Sequence, residues 1–164
     1  MPSTYWLDAN VFIQAKNGLY AFDIAPGFWK AIEFFAEKQV IRCPIQIRDE
    51  LTGAGDELSR WVRSRSGIFV RADKQVQRQV GEIAQRVQSN YGAPHAQHFL
   101  SHADPWVVAH ASVSRGIVIT EETLAPANSQ KVKIPNVCKR FGIPCKNTSA
   151  LLRSLEIRLE FNRS

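Results

Sequence analysis

The chain predicts an α/β protein built around a mostly parallel sheet, on three observations. Short apolar runs rich in β-formers, at residues 4–7, 40–43 and 117–120, alternate with stretches whose apolar residues recur at helical spacing. The composition, 45% hydrophobic and 22% charged over 164 residues, is that of a globular protein with enough chain to bury a core. No repeat, low-complexity tract or linker-like stretch divides it, so a single domain spanning residues 1–164 is expected.

Taken in order, residues 4–7 read as a buried strand that ends in a polar turn, Asp8-Ala-Asn10. Phe28, Ala31, Ile32 and Phe35 mark an amphipathic helix with Pro26 near its start. Residues 40–43 form a second strand stopped by Pro44. A helix from about Ile45 carries Glu50 in its first turns, until Gly53 and Gly55 interrupt it. Leu58, Trp61 and Val62 mark another helical turn, and Val76, Val80, Ile83 and Val87 form a clean apolar stripe. Trp106, Ala109, His110 and Val113 make a further stripe ended by Gly116, just before the clearest buried strand, 117–120. Beyond Glu122, residues 131–134 read as a short strand, Pro135 opens a helical turn and residues 143–145 read as an edge strand. At the end, Leu151, Leu152, Leu155 and Leu159 fit a helix, whereas Leu155, Ile157, Leu159 and Phe161 alternate with charges as a strand would. A helix through about Leu155 is expected, with the remainder open.

Bulk properties narrow the function. Lys and Arg outnumber Asp and Glu by 21 to 15, a net charge of +6, which favours a polyanionic partner. No apolar run reaches the roughly 18 residues that span a bilayer, and no secretory leader opens the chain, so a cytoplasmic protein without membrane association is expected. Cys43, Cys138 and Cys145 show no paired spacing and are expected to be reduced, mostly buried thiols. The four tryptophans, Trp6, Trp29, Trp61 and Trp106, sit on or beside apolar stripes and read as core.

Four acids, Asp8, Glu50, Asp104 and Glu122, each lie near the end of an apolar run or at the mouth of a helix. In an open parallel sheet ligands bind beyond the carboxyl ends of the strands, where Asp8 and Glu122 should stand. Four converging carboxylates would raise one another's pKa values unless a cation neutralised them. Hard oxygen donors select Mg²⁺ or Mn²⁺, ions suited to phosphodiester hydrolysis. Each acid also has an ordinary structural reading: Asp104 before Pro105 suits a helix N-cap, Asp8 and Asn10 suit turn caps, and Glu50 suits a solvated helix.

In order and setting these motifs resemble those of PIN-domain nucleases, in particular the single-domain PIN-like toxins. Leu7-Asp-Ala-Asn-Val-Phe12 is similar to the opening motif, whose aspartate binds metal with Asn10 in support. Glu50 matches the second acid and Asp104 the third. Ile119-Thr-Glu-Glu122 resembles the strand-end motif in which a threonine, Thr120, precedes the fourth acid by two positions. The departure is glutamate where aspartate is usual, with Glu121 beside it. Lys133-Ile-Pro-Asn-Val-Cys138 and Gly142-Ile-Pro-Cys145 also resemble the tail of the toxin branch. The resemblance implies a three-layer α/β/α sandwich, Mg²⁺- or Mn²⁺-dependent endoribonuclease activity on an RNA substrate, and a cognate antitoxin. Homodimerisation is a further expectation.

Three other readings compete: a structure-specific DNA nuclease, a receiver-like signalling domain and a catalytically silent RNA-binding domain. The receiver needs adjacent acids after the first strand and a late strand-end lysine; Asp8-Ala-Asn10 and Thr120-Glu-Glu122 supply neither. A complete acid quartet argues against a silent domain. Arg60, Arg63, Arg65, Arg71, Lys74 and Arg78 form a basic run suited either to RNA phosphates or to a solvated face, and Lys131, Lys133, Lys139 and Arg140 form a second such patch. His95, His98 and His102 have the spacing of one helical face and read as solvated histidines, with zinc ligation as the alternative.

Overall fold

A computed structural model describes residues 3–163. Five strands, β1 (Tyr5–Leu7), β2 (Ile41–Pro44), β3 (Phe69–Val70), β4 (Ile117–Ile119) and β5 (Cys145–Lys146), form one sheet in the order β3-β2-β1-β4-β5. Every pairing is parallel, with Tyr5 opposite both Ile41 and Ile117. Parallel neighbours need crossovers, which here are helical: α1 (Ala9–Asn17) and α2 (Pro26–Glu37) between β1 and β2, α3 (Ile45–Leu51) and α4 (Glu57–Arg63) between β2 and β3. The connection from β3 to β4 holds α5 (Lys74–Asn90), α6 (Ala93–Leu100) and α7 (Asp104–Ser114), α8 (Ile134–Phe141) leads to β5, and α9 (Thr148–Ser154) follows. The chain steps outward through β2 and β3, then returns to the other side of β1 for β4 and β5. Right-handed crossovers in opposite directions put α1 to α4 on one face and α5 to α8 on the other, the three-layer α/β/α sandwich.

The core lies against β1 and β4. Leu7, Val118 and Ile119 are inaccessible to solvent, as are Val107, Val108 and Ala109 of α7. The stripe expected on α7 is correspondingly too narrow: its buried set runs round most of the helix, while Trp106 and Val113 are only half-buried. A helix inserted between a sheet and neighbours on two flanks, α5 and α8, is apolar almost all round. The other three tryptophans are buried, and each indole NH finds a partner: Trp6 with Ser114 Oγ at 2.9 Å, Trp29 with Tyr20 O at 2.7 Å, Trp61 with Glu33 Oε1 at 2.9 Å. All three cysteines are free thiols, with Cys145 half-buried and the other two buried.

Several elements depart from expectation. The turn after β1 is the start of α1: Asp8 caps it and Ala9, Val11, Phe12 and Ala15 bury one face. β3, two residues long, is absent from the expected strands, although Ile68-Phe-Val70 after Gly67 is a short run of strand formers. Residues 131–133 are not a strand, and Ile134 is the first residue of α8. Lys131-Val-Lys-Ile alternates like a strand, but β5 takes the edge beside β4. Glu50 is the penultimate residue of α3, because that helix is only seven residues long. Asp104 is not the cap of α7. Ala103 holds that position, and no side chain caps it from within the segment.

Gly116 joins α7 to β4 where the chain passes tightly against β1. A Cβ there would lie 2.5 Å from Thr4 O and 3.0 Å from Trp6 Cδ1. We expect Gly116→Ala to destabilise the protein by roughly 1–3 kcal/mol, because backbone rather than a mobile side chain must give way. A denaturant midpoint unchanged from wild type would refute the tight approach.

Candidate functional site

The sheet order places a topological switch between β1 and β4, the two strands from which the chain leaves in opposite directions. That crevice, at the carboxyl ends of the strands, is where open α/β sheets bind ligands. Asp8 directly follows β1, and Thr120, Glu121 and Glu122 directly follow β4. Asp8, 4% exposed, accepts from the Ala9 amide through Oδ1 (2.8 Å) and from the Thr120 hydroxyl through Oδ2 (2.9 Å). The same hydroxyl oxygen accepts from Asn10 Nδ2 (3.2 Å) and from the Glu122 amide (3.1 Å). Asn10 Oδ1 in turn accepts from the Glu121 amide (2.9 Å). The Thr120 hydroxyl donates once and accepts twice, so its capacity is filled and its orientation fixed.

The other two acids arrive on helices. In a parallel α/β fold the helix leading into a strand begins at that strand's carboxyl edge, which puts the first turn of α7, with Asp104, beside Asp8. Glu50 reaches the same place from α3 and accepts from the Ala103 amide at 2.8 Å, so a side chain 53 positions away caps α7. Glu122 Oε2 likewise accepts from the Ile134 amide at the start of α8 (2.8 Å), and Glu121 Oε1 from Thr148 N at the start of α9 (2.9 Å). Three helix mouths therefore each receive a glutamate.

Charge accumulates accordingly. Burial pushes the Asp8 carboxyl up to about 7, against the Thr120 hydrogen bond, and Glu122 and Glu50 add repulsion. Asp104 is pushed up to about 8, by burial first and then by Asp8, Glu122 and Glu50. Glu50 and Glu122 thus act on both aspartates across one end of the sheet. Glu121 exerts no such pressure on either aspartate; its carboxylate turns to α9. The two adjacent glutamates, both beyond the end of β4, part company: Glu122 goes to α8 and Glu121 to α9.

An oxygen-only donor set with two carboxyls forced towards neutrality suits a hard divalent cation. As the side chains stand, no three His, Cys, Asp or Glu groups among the described residues are gathered closely enough to share an ion. Uptake would therefore proceed with side-chain rearrangement rather than into a finished shell. Glu50 and Glu122 each use one oxygen on a helix amide and have the second free of hydrogen bonds among the described residues.

The basic run is not gathered. Arg60, Arg63 and Arg65 belong to α4 and its end, whereas Lys74 and Arg78 are on α5 in the opposite layer, with β3 between. Arg63 donates to Thr52 O (2.9 Å), and Arg65 pairs with Glu33 (2.6 Å). The second patch converges better: Lys131, Lys139 and Arg140 surround a cleft of about 500 Å³ with Tyr91, Leu124 and Asn136, and no acid lines it. Asn136, which belongs to none of the expected site residues, accepts from the Ala125 amide and donates to its carbonyl, both at 2.9 Å, bracing the loop after Glu122. Its place after Pro135 at the mouth of a helix and its position inside the stretch Lys133-Ile-Pro-Asn-Val-Cys138 are the sequence signals that point to it. His98 and His102 are exposed, and His102 Nδ1 lies 2.6 Å from His98 O.

Fold and site together define an all-parallel α/β protein with a carboxylate cluster at its topological switch point. The chain belongs to the DUF4411 family, described as a domain of unknown function, whose model matches residues 5–159. No curated protein and no solved structure matches it.

The raised aspartate values carry a stability consequence. A carboxyl with folded pKa near 8 and unfolded pKa near 3.8 stays protonated longer in the folded state. Its contribution is therefore fully present below 3.8 and lost as pH rises through 8. We expect the cation-free protein to melt lower at pH 8.5 than at pH 6, and Asp104→Asn to raise stability at pH 8.5 by roughly 1–3 kcal/mol while flattening the slope. A variant that melts below wild type at pH 8.5 would show that the carboxylate is not under strain.

Proposed function

We propose that this chain is a Mg²⁺- or Mn²⁺-dependent endoribonuclease of the PIN type, the toxin of a toxin–antitoxin pair, acting in the cytoplasm and restrained by a cognate antitoxin protein. The observation that carries the reading is the convergence of Asp8, Glu50, Asp104 and Glu122 at the β1/β4 switch, with two carboxyls raised towards neutral pH. The motif order supports the nuclease class, and no helix among the described residues is long and apolar enough to cross a membrane.

Mg²⁺ or Mn²⁺, when bound, supplies the positive charge that keeps these carboxylates ionised and offsets charge on a phosphate. Asp8, Asp104, Glu50 and Glu122 would hold it. The remaining work belongs to the chain. Thr120 and Asn10 fix Asp8 in one orientation, so its oxygens need no reorganisation when substrate arrives. With its carboxyl pushed up to about 8, Asp104 would have to lose a proton to hold a cation, which would make binding pH-dependent. Lys131, Lys139 and Arg140 stand along the loop after Glu122 and suit the phosphates flanking the scissile bond.

Cleavage of single-stranded RNA by the purified chain should require Mn²⁺ or Mg²⁺ and stop with chelator; full activity in chelator would end the proposal. Glu122→Gln should lower activity roughly 10–100-fold, and Glu121→Gln far less. The reverse ranking would transfer the fourth position to Glu121. Preferential cleavage of branched DNA would move the reading to a DNA nuclease.

In a second measurement, Lys131→Ala with Lys139→Ala should weaken binding of RNA to the cation-free protein and reduce the salt slope by roughly one for each phosphate left unneutralised. Arg63→Ala with Arg65→Ala, whose side chains are bonded within the protein, should change it less. If only the second pair moves the slope, RNA runs past α4 instead.

A further inference from the structure

Residues 157–161, Ile-Arg-Leu-Glu-Phe, follow α9 with alternating apolar and charged side chains yet belong to no strand. The Ile157 amide donates to Leu152 O at 2.9 Å, and among the described residues no backbone hydrogen bond involves 158–163. In an extended chain alternate amides share an edge. The Ile157 bond closes the end of α9 beyond the left-handed Glu156, and the amides and carbonyls of Arg158 and Glu160 make no backbone bond among the described residues, so in an extended conformation they are free to pair with another strand.

The segment lies over the start of α2, where Leu159 Cδ2 comes within 3.5 Å of the place a Gly27 Cβ would take. Between the two runs a groove of about 620 Å³, lined in part by Ala31, Phe34, Ile157, Leu159 and Phe161. Phe34 is 51% and Phe161 90% exposed, so this face is unusually apolar for one in contact with water.

We propose that this face is a two-fold interface between two copies of the chain, made by antiparallel pairing of residues 157–161 about Leu159. The charge order selects that arrangement. Read in reverse, the segment is Phe-Glu-Leu-Arg-Ile, so a two-fold pairing sets Arg158 opposite Glu160 twice, Ile157 opposite Phe161 twice and Leu159 opposite itself. In-register parallel pairing would oppose Arg158 to Arg158 and Glu160 to Glu160. A slip by one residue would oppose charged to apolar side chains and turn the apolar set outward. Within the two-fold register Arg158 and Glu160 form the hydrogen-bonded pairs on their open edges, and the apolar side chains of both copies cover the groove and Phe34. The inference is independent of the nuclease reading, since none of these residues belongs to the acidic site.

Analytical ultracentrifugation across a concentration series tests it, with circular dichroism confirming that each variant is folded. Wild type should sediment at twice the 18.5 kDa chain mass at high concentration and dissociate on dilution. Arg158→Glu and Glu160→Arg should each weaken self-association at least tenfold, by setting like charges opposite each other. The double variant, which restores opposite charges in reversed order, should recover it. A wild type that stays monomeric at 0.2 mM overturns the proposal. So does a double variant no better than the singles, or association indifferent to all three variants.

Discussion

The hydroxyl of Thr120 joins the two strands on either side of the switch point: it donates to Asp8 at the end of β1 and accepts from Asn10 in α1 and from the Glu122 amide after β4. Because β1 and β4 are adjacent and parallel, their ends already lie side by side, and the hydroxyl converts adjacency into a fixed angle between two chain reversals. One reversal launches α1 and the other sends Glu121 and Glu122 to opposite sides. The position of three of the four clustered acids depends on this joint or on the strands it joins. A serine would retain the donor and lose the methyl that packs a buried site; a valine would retain the shape and leave the Asp8 oxygen and the Asn10 amide without their partner.

Two demands act on the same carboxylates. Burial and repulsion press Asp8 and Asp104 towards the neutral form, whereas helix mouths attract negative charge. The glutamates resolve the second demand with one oxygen each, on α7 and α8. Two crowded aspartates are left that the protein alone does not neutralise. Folding gains nothing from that crowding, and under the proposed function it is the uptake of a cation that would relieve it.

What could be read from the sequence was what local pattern dictates. β1, β2 and β4 follow from short apolar runs, α5 from a strict stripe of valines and an isoleucine, and the end of α9 from the leucines before Leu155. The missed helix α1 is instructive: Val11-Phe-Ile13 has strand propensity, and only the cap at Asp8 and burial of Ala9 and Ala15 against the core decide for helix. The ordering of the acids was legible because each follows a recognisable strand or helix start. Their mutual geometry was not. Glu50 meets Ala103 only because α3 and α7 lie in layers whose relation depends on the whole sheet order, and the basic run from Arg60 to Arg78 divides around β3 for the same reason.

The double duty of the glutamates bears on how such a chain can change over time. A carboxylate that also closes the mouth of a helix cannot be exchanged freely for a small apolar residue, since the amide it receives would be left bare. Glutamine keeps the acceptor oxygen and surrenders only the charge. The route by which a descendant could lose the charge of the site while keeping its architecture therefore passes through amides at positions 50 and 122. If the site acts as proposed, lineages that retired it should carry glutamine at these two positions.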